Sequence, residues 1–497
     1  MFFQQAVKRT VFFPLYILFI LTGCVSGRSI SGSGQNPEIE EDPSIRLPPH
    51  VTPDMMDAAF WISRASDSSK VIMSAEQIDA WNKAAYITQT VPDNPDSTLL
   101  FDFDRYCNGI QGTLIRQYLP RYNPRYLWYT ANGPVTEKDW DALQDMMRVD
   151  ELQDINAVQP AVCVKRSFLR AIPSNAFYTN DLNDWYNDIA QVSGILMNEP
   201  ILILWEDKSG DWVFVMTRFC AGWMHKKDTA VCRSYEELRR ICEMQHFVTV
   251  TADRVQIGTD YAAEQTVPET SADEEYVPVF DTAFELFMGT RLELVSWSDP
   301  GLYHSFLPRL PYFSYAVRIP YRDENGYIGY TFAAVPAAFC CNGALPYTTE
   351  NVLRLAFLSL GRRYGWGGQY YSRDCSEFSM EIYRCFGFIL PRNSRGQAVM
   401  PGKTVLFSDM DEQQRKSALN KVSAGSILYM PGHIMVYLGT AADRYYVISA
   451  MGQYIFDSTQ LGKQPVNAFS VSVNDLSLLR GNGKTWLNYL VAAKEMR

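Results

Sequence analysis

Long apolar runs are almost missing from this chain of 497 residues. The one at 11–21, "VFFPLYILFIL", is too short to span a bilayer as a mature helix. No stripe of Lys and Arg is present and the formal net charge is −10, which argues against a nucleic-acid partner. Charged residues are only 20% against 47% apolar ones, a globular balance rather than a disordered one. No CxxC pair and no His-rich tract offers a zinc site, so no metal is expected, and no motif calls for a cofactor. Histidine is scarce, with five in all: His50, His225, His246, His304 and His433. That scarcity narrows any search for a general base.

What is present begins at the N-terminus. Lys8 and Arg9 precede the apolar run, and Leu21-Thr22-Gly23-Cys24 closes it. This resembles the lipobox of a bacterial lipoprotein signal, which implies a signal peptide at 1–23 and an exported, membrane-anchored protein acylated at Cys24. An ordinary signal peptide with an incidental cysteine is the plainer alternative. Several acyl chains on one residue hold lastingly, whereas one chain holds marginally. Residues 24–50 are rich in Ser, Gly and Pro and read as a flexible tether. A coil of about 26 residues would keep the body on the order of 25–30 Å from the membrane.

Ten cysteines in an exported chain raise the question of disulfides. Apart from Cys24 and Cys375 there are Cys107, Cys163, Cys220, Cys232, Cys242, Cys340, Cys341 and Cys385, whose spacing shows no framework. They read as thiols packed into the interior.

The body divides by texture. Residues 51–160 read as a helical N-terminal domain, with apolar positions three and four apart in "AEQIDAWNKAAYI" and "TEKDWDALQDMMRVDELQDI" and a capping box at Thr136 and Asp139. Short strands follow at 161–250 ("EPILILWED", "GDWVFVMT", "AGWMHKK") and, behind the acidic linker "ETSADEEYVPVFD", at 251–347. Each of these resembles a bacterial SH3-like barrel. Residues 348–497 begin with a helical pattern and end in strands ("GSILYM", "HIMVYLG", "RYYVISAM"), an α+β order.

The last region holds the most unusual stretch, "GWGGQYYSRDCSEFSMEIYRCFGF" at 365–388. Cys375 stands where a loop becomes a helix, and unpaired N–H groups at a helix start favour a thiolate. His433 is the only histidine in the same region, opening a strand after the turn Pro431-Gly432. A strand-edge imidazole facing a helix-start thiol can act as base and nucleophile.

Further motifs fall in line with this pair: Tyr364-Gly365-Trp366-Gly367-Gly368, Asp374-Cys375-Ser376, Leu390-Pro391-Arg392-Asn393-Ser394-Arg395-Gly396-Gln397, and Pro431-Gly432-His433 with Tyr437-Leu438-Gly439. Together they resemble the NlpC-type peptidoglycan cysteine peptidases, in the multidomain branch with two SH3-like barrels. The resemblance implies an α+β multidomain chain with a papain-like catalytic domain. It also implies hydrolysis of the γ-D-glutamyl-diamino acid amide in cell-wall stem peptides. Cys375 would be the nucleophile and His433 the base. Asp374, near a free substrate amine, and Ser376 would help hold the substrate, beside Trp366, with Arg392 and Ser394 along the D-glutamate side. Glu199, in Asn198-Glu199-Pro200, would lend a charge to the amine pocket from the first barrel.

Two departures stand against this pattern. Phe219-Cys220 fall where the family has a tyrosine companion for the amine. The family's third catalytic residue, usually His, is here Ser449 in Ile448-Ser449-Ala450. A serine hydroxyl can still accept or donate to the imidazole, though it orients the ring more weakly. Two other readings share these residues: a wall-binding lipoprotein with a weakened catalytic domain that docks stem peptides through its barrels, and an amidase or acyltransferase acting on a different acyl group. Nothing in the sequence sets an oligomeric state.

Overall fold

The computed structural model describes residues 45–89, 103–125, 127–258, 283–296, 310–458 and 462–497. The lipobox-like segment with Cys24, nearly all of the tether, the acidic linker and His304 lie outside these residues.

At the first barrel the chain forms a seven-stranded antiparallel sheet in the order Thr229–Val231, Gln159–Cys163, Pro200–Glu206, Trp212–Met216, Ala221–His225, Ser167–Arg170, Gln191–Ile195. Its central strands are buried on both faces. Ile201, Ile203, Val213 and Val215 join the core shared with the C-terminal domain. Their alternating neighbours Leu202, Leu204, Phe214 and Met216 pack against Ile115, Trp140 and Leu152 of the N-terminal segment. Two-sided burial explains the unbroken apolar run "PILIL".

The N-terminal region, read from sequence as one helical domain, is divided between two cores. Helices Ala58–Ile62 and Ala75–Gln89 belong to the C-terminal domain. There Trp61 meets Tyr446 at a centroid distance of 5.1 Å and Trp81 meets Phe388 at 5.0 Å. Asn82 also donates to the Gly387 carbonyl at 3.0 Å and accepts the Ile389 N–H at 2.9 Å. Residues from Tyr106 to Leu152 instead cover the first barrel. Neither piece has enough apolar residues for a core of its own. The capping box at Thr136 and Asp139 is formed and opens the helix Glu137–Met146.

Strand Phe247–Val250, expected at the end of the first barrel, pairs with Arg291–Glu293 and Cys340–Asn342 of the second. With the hairpins Arg254–Gly258/Ala283–Phe287 and Ser314–Arg322/Ile328–Pro336 it encloses a separate core around Val248, Leu292, Val317 and Val335.

In the C-terminal domain a six-stranded antiparallel sheet has the order Lys403–Leu406, Ala492–Glu495, Ile427–Met430, His433–Ala441, Arg444–Ser458, Gly462–Asp475. Helix Cys375–Arg384 lies on strand His433–Ala441, with Phe378, Ile382 and Tyr383 in the core. Among the described residues all nine cysteines carry free thiols, and Cys107 is exposed rather than packed inside.

Candidate active site

Cys375 is the first residue of helix Cys375–Arg384, and Asp374 caps it. The Asp374 carboxylate accepts the N–H groups of Ser376 at 3.1 Å and Glu377 at 2.9 Å, and that of Gly367 at 3.1 Å. Arg392 grips the same carboxylate through Nη1 at 3.1 Å and Nη2 at 2.6 Å. The guanidinium also donates from Nε to Ser193 Oγ at 2.7 Å and from Nη1 to Ser376 Oγ at 2.9 Å. Asp374, Ser376 and Arg392 are therefore brought together, but their polar atoms are committed to one another. They form a buried scaffold under the thiol.

That scaffold changes the electrostatics expected of a helix start. Burial pushes the Cys375 thiol up to about 12, and the adjacent Asp374 carboxylate adds to the shift, while the Ile434 and Ser376 N–H groups and Arg392 oppose it. The helix terminus fails to lower the value because its N–H groups are already spent on a capping anion.

His433 opens its strand and is buried, with its ring edge-on to Trp486 at 5.1 Å. Burial pushes its pKa down to about 3, Arg480 adds to this, and Asp374 opposes it. Its Nε2 lies 3.0 Å from Ser449 Oγ, the expected third member, on the neighbouring strand. That bond occupies Nε2, so Nδ1 is the nitrogen left for proton transfer. The thiol sits against the N–H of Ile434, the residue after the imidazole. Both members of the pair are uncharged at rest.

Cys375, Asp374, Ser376, Trp366, Arg392 and Ser394 all line one cleft of about 560 Å³ between the C-terminal domain and the first barrel. Trp366 is 43% exposed at its rim. The glycines around it are required by a close approach. A Cβ on Gly368 would lie 2.5 Å from the Gly194 N, and one on Gly367 would lie 2.7 Å from the Gln191 carbonyl. Both also have positive φ, 85° and 56°. The Gly-Trp-Gly-Gly motif is the seam where this domain meets the barrel strand Gln191–Ile195.

Glu199 is not in the cleft. It is 1% exposed and ion-paired to Arg384, with Arg218 Nε at 3.7 Å. The turn before strand Pro200–Glu206 brings it to Arg384 at the helix's last position, so the charge expected at an amine pocket neutralises arginines instead. Conversely, the N-terminal segment supplies Gln117, Tyr118, Leu119 and Pro120 to the cleft wall, which no sequence pattern announced. Tyr118 brings a phenol to the cavity that Phe219 and Cys220 line, the place where a tyrosine was missing. Gln397 of the Leu-Pro-Arg motif also acts on the helix: its Nε2 donates to the Ser376 carbonyl at 2.9 Å, and its Oε1 accepts from Ser379 at 2.6 Å.

Buried ion pairs fix the two walls relative to one another. Arg166 of the barrel binds Glu377 at 2.6 Å and Glu381 at 2.7 Å, both on the Cys375 helix. Arg373 joins Glu381 to Asp253 of the second barrel, each at 2.5 Å. Among the described residues, no group of three or more His, Cys, Asp or Glu side chains could hold a metal ion.

The NlpC/P60 family model matches residues 361–463, and the model for SH3 domains of the SH3b1 type matches residues 179–225. Comparison with curated proteins found no match. Among solved structures, an NlpC/P60 endopeptidase from Photobacterium damselae subsp. piscicida is similar over 90% of this chain and 98% of its own, with a TM-score of 0.65 at 17% identity. An NlpC/P60 family protein from Bacillus cereus ATCC 10987 aligns over 68% of this chain and 99% of its own, with a TM-score of 0.44 at 17% identity. The matched segments contain the Cys375 helix, the His433 strand and the seam strand Gln191–Ile195, so the C-terminal domain carries an NlpC/P60 match and the wall of its cleft an SH3b match.

Proposed function

We propose that this protein is a cell-wall endopeptidase that cleaves the γ-D-glutamyl-diamino acid amide of peptidoglycan stem peptides. The observation that carries this reading is Cys375 lining the cleft, on a helix that packs against the strand opened by the Ser449-bound His433. Because thiol and imidazole start neutral, the Sγ–H proton passes to Nδ1 as Sγ attacks the γ-carbonyl. The imidazolium then returns that proton to the leaving amine, and a thioester remains. Water, deprotonated by the same imidazole, attacks the thioester and releases the glutamate γ-carboxylate and the thiol. The Ile434 N–H, which acts on the thiol, is a candidate donor to the oxyanion.

Substrate selection is assigned to the cleft walls. Its acidic side chain is Asp374, whose charge is shared with Arg392, and Tyr118 adds a phenol. The lipobox-like Cys24 adds a membrane anchor to the proposal, facing the periplasm or cell wall. The test is incubation of the purified protein with L-Ala-γ-D-Glu-diaminopimelate. Released diaminopimelate, lost in Cys375→Ala with the circular dichroism spectrum unchanged, supports the reading. Equal release by the variant removes Cys375 from the reaction.

A second reading has its own observation. With Ser449 in place of histidine and both members of the pair held neutral by burial, the domain could instead bind stem peptides without turning them over. Tight binding with no released diaminopimelate would favour it.

A further inference from the structure

Around the C-terminal end of the Cys375 helix, the two barrels and the C-terminal domain meet at a second, smaller cavity of about 50 Å³. Its walls carry Asn198, Glu199 and Arg218 from the first barrel, Arg291 from the second, and Arg384 from the end of the helix. Three guanidinium groups thus converge on a single carboxylate. Arg384 pairs with Glu199, and Arg218 Nε stands 3.7 Å from the other carboxylate oxygen. Arg291 stacks over Phe247 at 4.9 Å and donates from Nη2 to the Arg384 carbonyl at 3.3 Å. One carboxylate cannot balance three cations, so the cavity keeps two positive charges in excess.

Its polar atoms are also incompletely paired. Two of its donors, Arg218 Nε and Arg291 Nε, are buried without a hydrogen-bond partner, and Arg218 Nε has only the Glu199 carboxylate, at 3.7 Å. Natural interiors rarely leave such groups orphaned, and two in one cavity call for something that pairs them.

We propose that this cavity is a binding site for a small oxyanion, a free carboxylate or inorganic phosphate. Two buried N–H donors from separate arginines suit an anion's oxygens, and the guanidinium fork matches carboxylate and phosphate alike. A volume of about 50 Å³ admits a group of a few non-hydrogen atoms and excludes a peptide. The site lies outside the cleft of the proposed activity, yet one turn serves both. Arg218 faces the anion cavity, Cys220 lines the cleft, and Phe219 touches the two. An anion held by Arg218 therefore fixes part of the cleft wall.

The experiment is a thermal melt of the full chain in a zwitterionic buffer. Inorganic phosphate and sodium acetate are titrated separately, and sodium chloride at equal ionic strength serves as control. A ligand that binds only the folded state stabilises it as ln(1 + [L]/Kd), so the midpoint should climb with the logarithm of the anion above Kd. A rise with phosphate alone identifies a phosphate site, a rise with acetate alone a carboxylate site, and a rise with both a site for the shared chemistry. Arg218→Gln and Arg291→Met should lose the anion-dependent part of the rise. Glu199→Gln, which removes the lone counter-charge, should enlarge it even if the variant melts earlier without anion. A merely structural carboxylate would lower the midpoint equally with and without phosphate. No rise beyond the chloride control, or a rise unchanged in all three variants, overturns the proposal.

Discussion

Ser449 is the residue on which the chemistry turns. Its hydroxyl holds His433 Nε2 at 3.0 Å on a fully buried strand, where loss of the bond leaves the ring free to rotate without abolishing its basicity. Ser449→Ala removes one net hydrogen bond of about 1 kcal/mol, so kcat should fall roughly fivefold while KM stays near wild type. Ser449→His fills a site of zero exposure and must crowd its neighbours. If activity nevertheless rises, the decayed-enzyme reading gains. Unchanged kcat and pH profile in both variants would mean that another group orients the ring. The nucleophile offers a separate check. With the Cys375 thiol pushed up to about 12, alkylation of the free protein by iodoacetamide should be slow at pH 7 and still rising at pH 10. A plateau below pH 7 would instead show a preformed thiolate–imidazolium pair, as in papain-like sites with a lowered thiol pKa.

Helix Cys375–Arg384 is the element that joins the three domains. It carries Glu377 and Glu381 to Arg166 and Arg384 to Glu199 of the first barrel, its Arg384 carbonyl accepts from Arg291 of the second, and its cap Asp374 binds Arg392 of its own domain. Arg166 is buried with two carboxylates on one side of it, so Arg166→Met leaves Glu377 and Glu381 with less charge than they were built to face. Breaking a buried pair by removing one partner costs about 3–5 kcal/mol, expected as a lowered urea midpoint together with a loosened cleft. A loss under about 1 kcal/mol would mean that the barrel is held by its apolar contacts alone. Much of this helix was legible: the start at Cys375, the capping aspartate, and the apolar face at Phe378 and Ile382 follow from local pattern. Its charged face was not, because Arg166, which binds both Glu377 and Glu381, lies 211 and 215 positions away and no local rule connects them. The same holds for Gly367 and Gly368. Sequence marks them as loosening the backbone, whereas the cause is a barrel strand lying where a Cβ would be.

For the whole molecule, the helix-then-strand order of the C-terminal domain and the reach of Ser449 to His433 were legible, the second because it depends on alternation within one strand. The split of the N-terminal region was not, since helical periodicity says which face is apolar but not which core receives it. Glu199 failed for a related reason: it sits just before strand Pro200–Glu206, and its partner, Arg384, belongs to another domain. Under the proposed lipid anchor, Cys24→Ala should leave the protein in the soluble fraction or unprocessed, and equal membrane retention would point to a different anchor. The last expectation concerns acid. Folded His433 stays neutral down to about pH 3, whereas in the unfolded chain it takes a proton near its ordinary value of about 6.5. Between these limits the unfolded state binds more protons, so the contribution of His433 to stability is present above pH 6.5 and is lost as the pH falls toward 3. Asp374 and Asp253, both held below the usual carboxylate range among arginines, lose their contributions in the same direction, but only below about pH 4. His433→Gln keeps a neutral group able to bond Ser449 and removes the titration. The slope of unfolding free energy against pH between 6 and 4 should therefore drop by about 1.4 kcal/mol per pH unit relative to wild type, since the other histidines are common to both proteins and cancel. Parallel slopes in urea titrations across that range would mean that the imidazole charges freely in the folded protein, and the neutral resting pair would have to be abandoned.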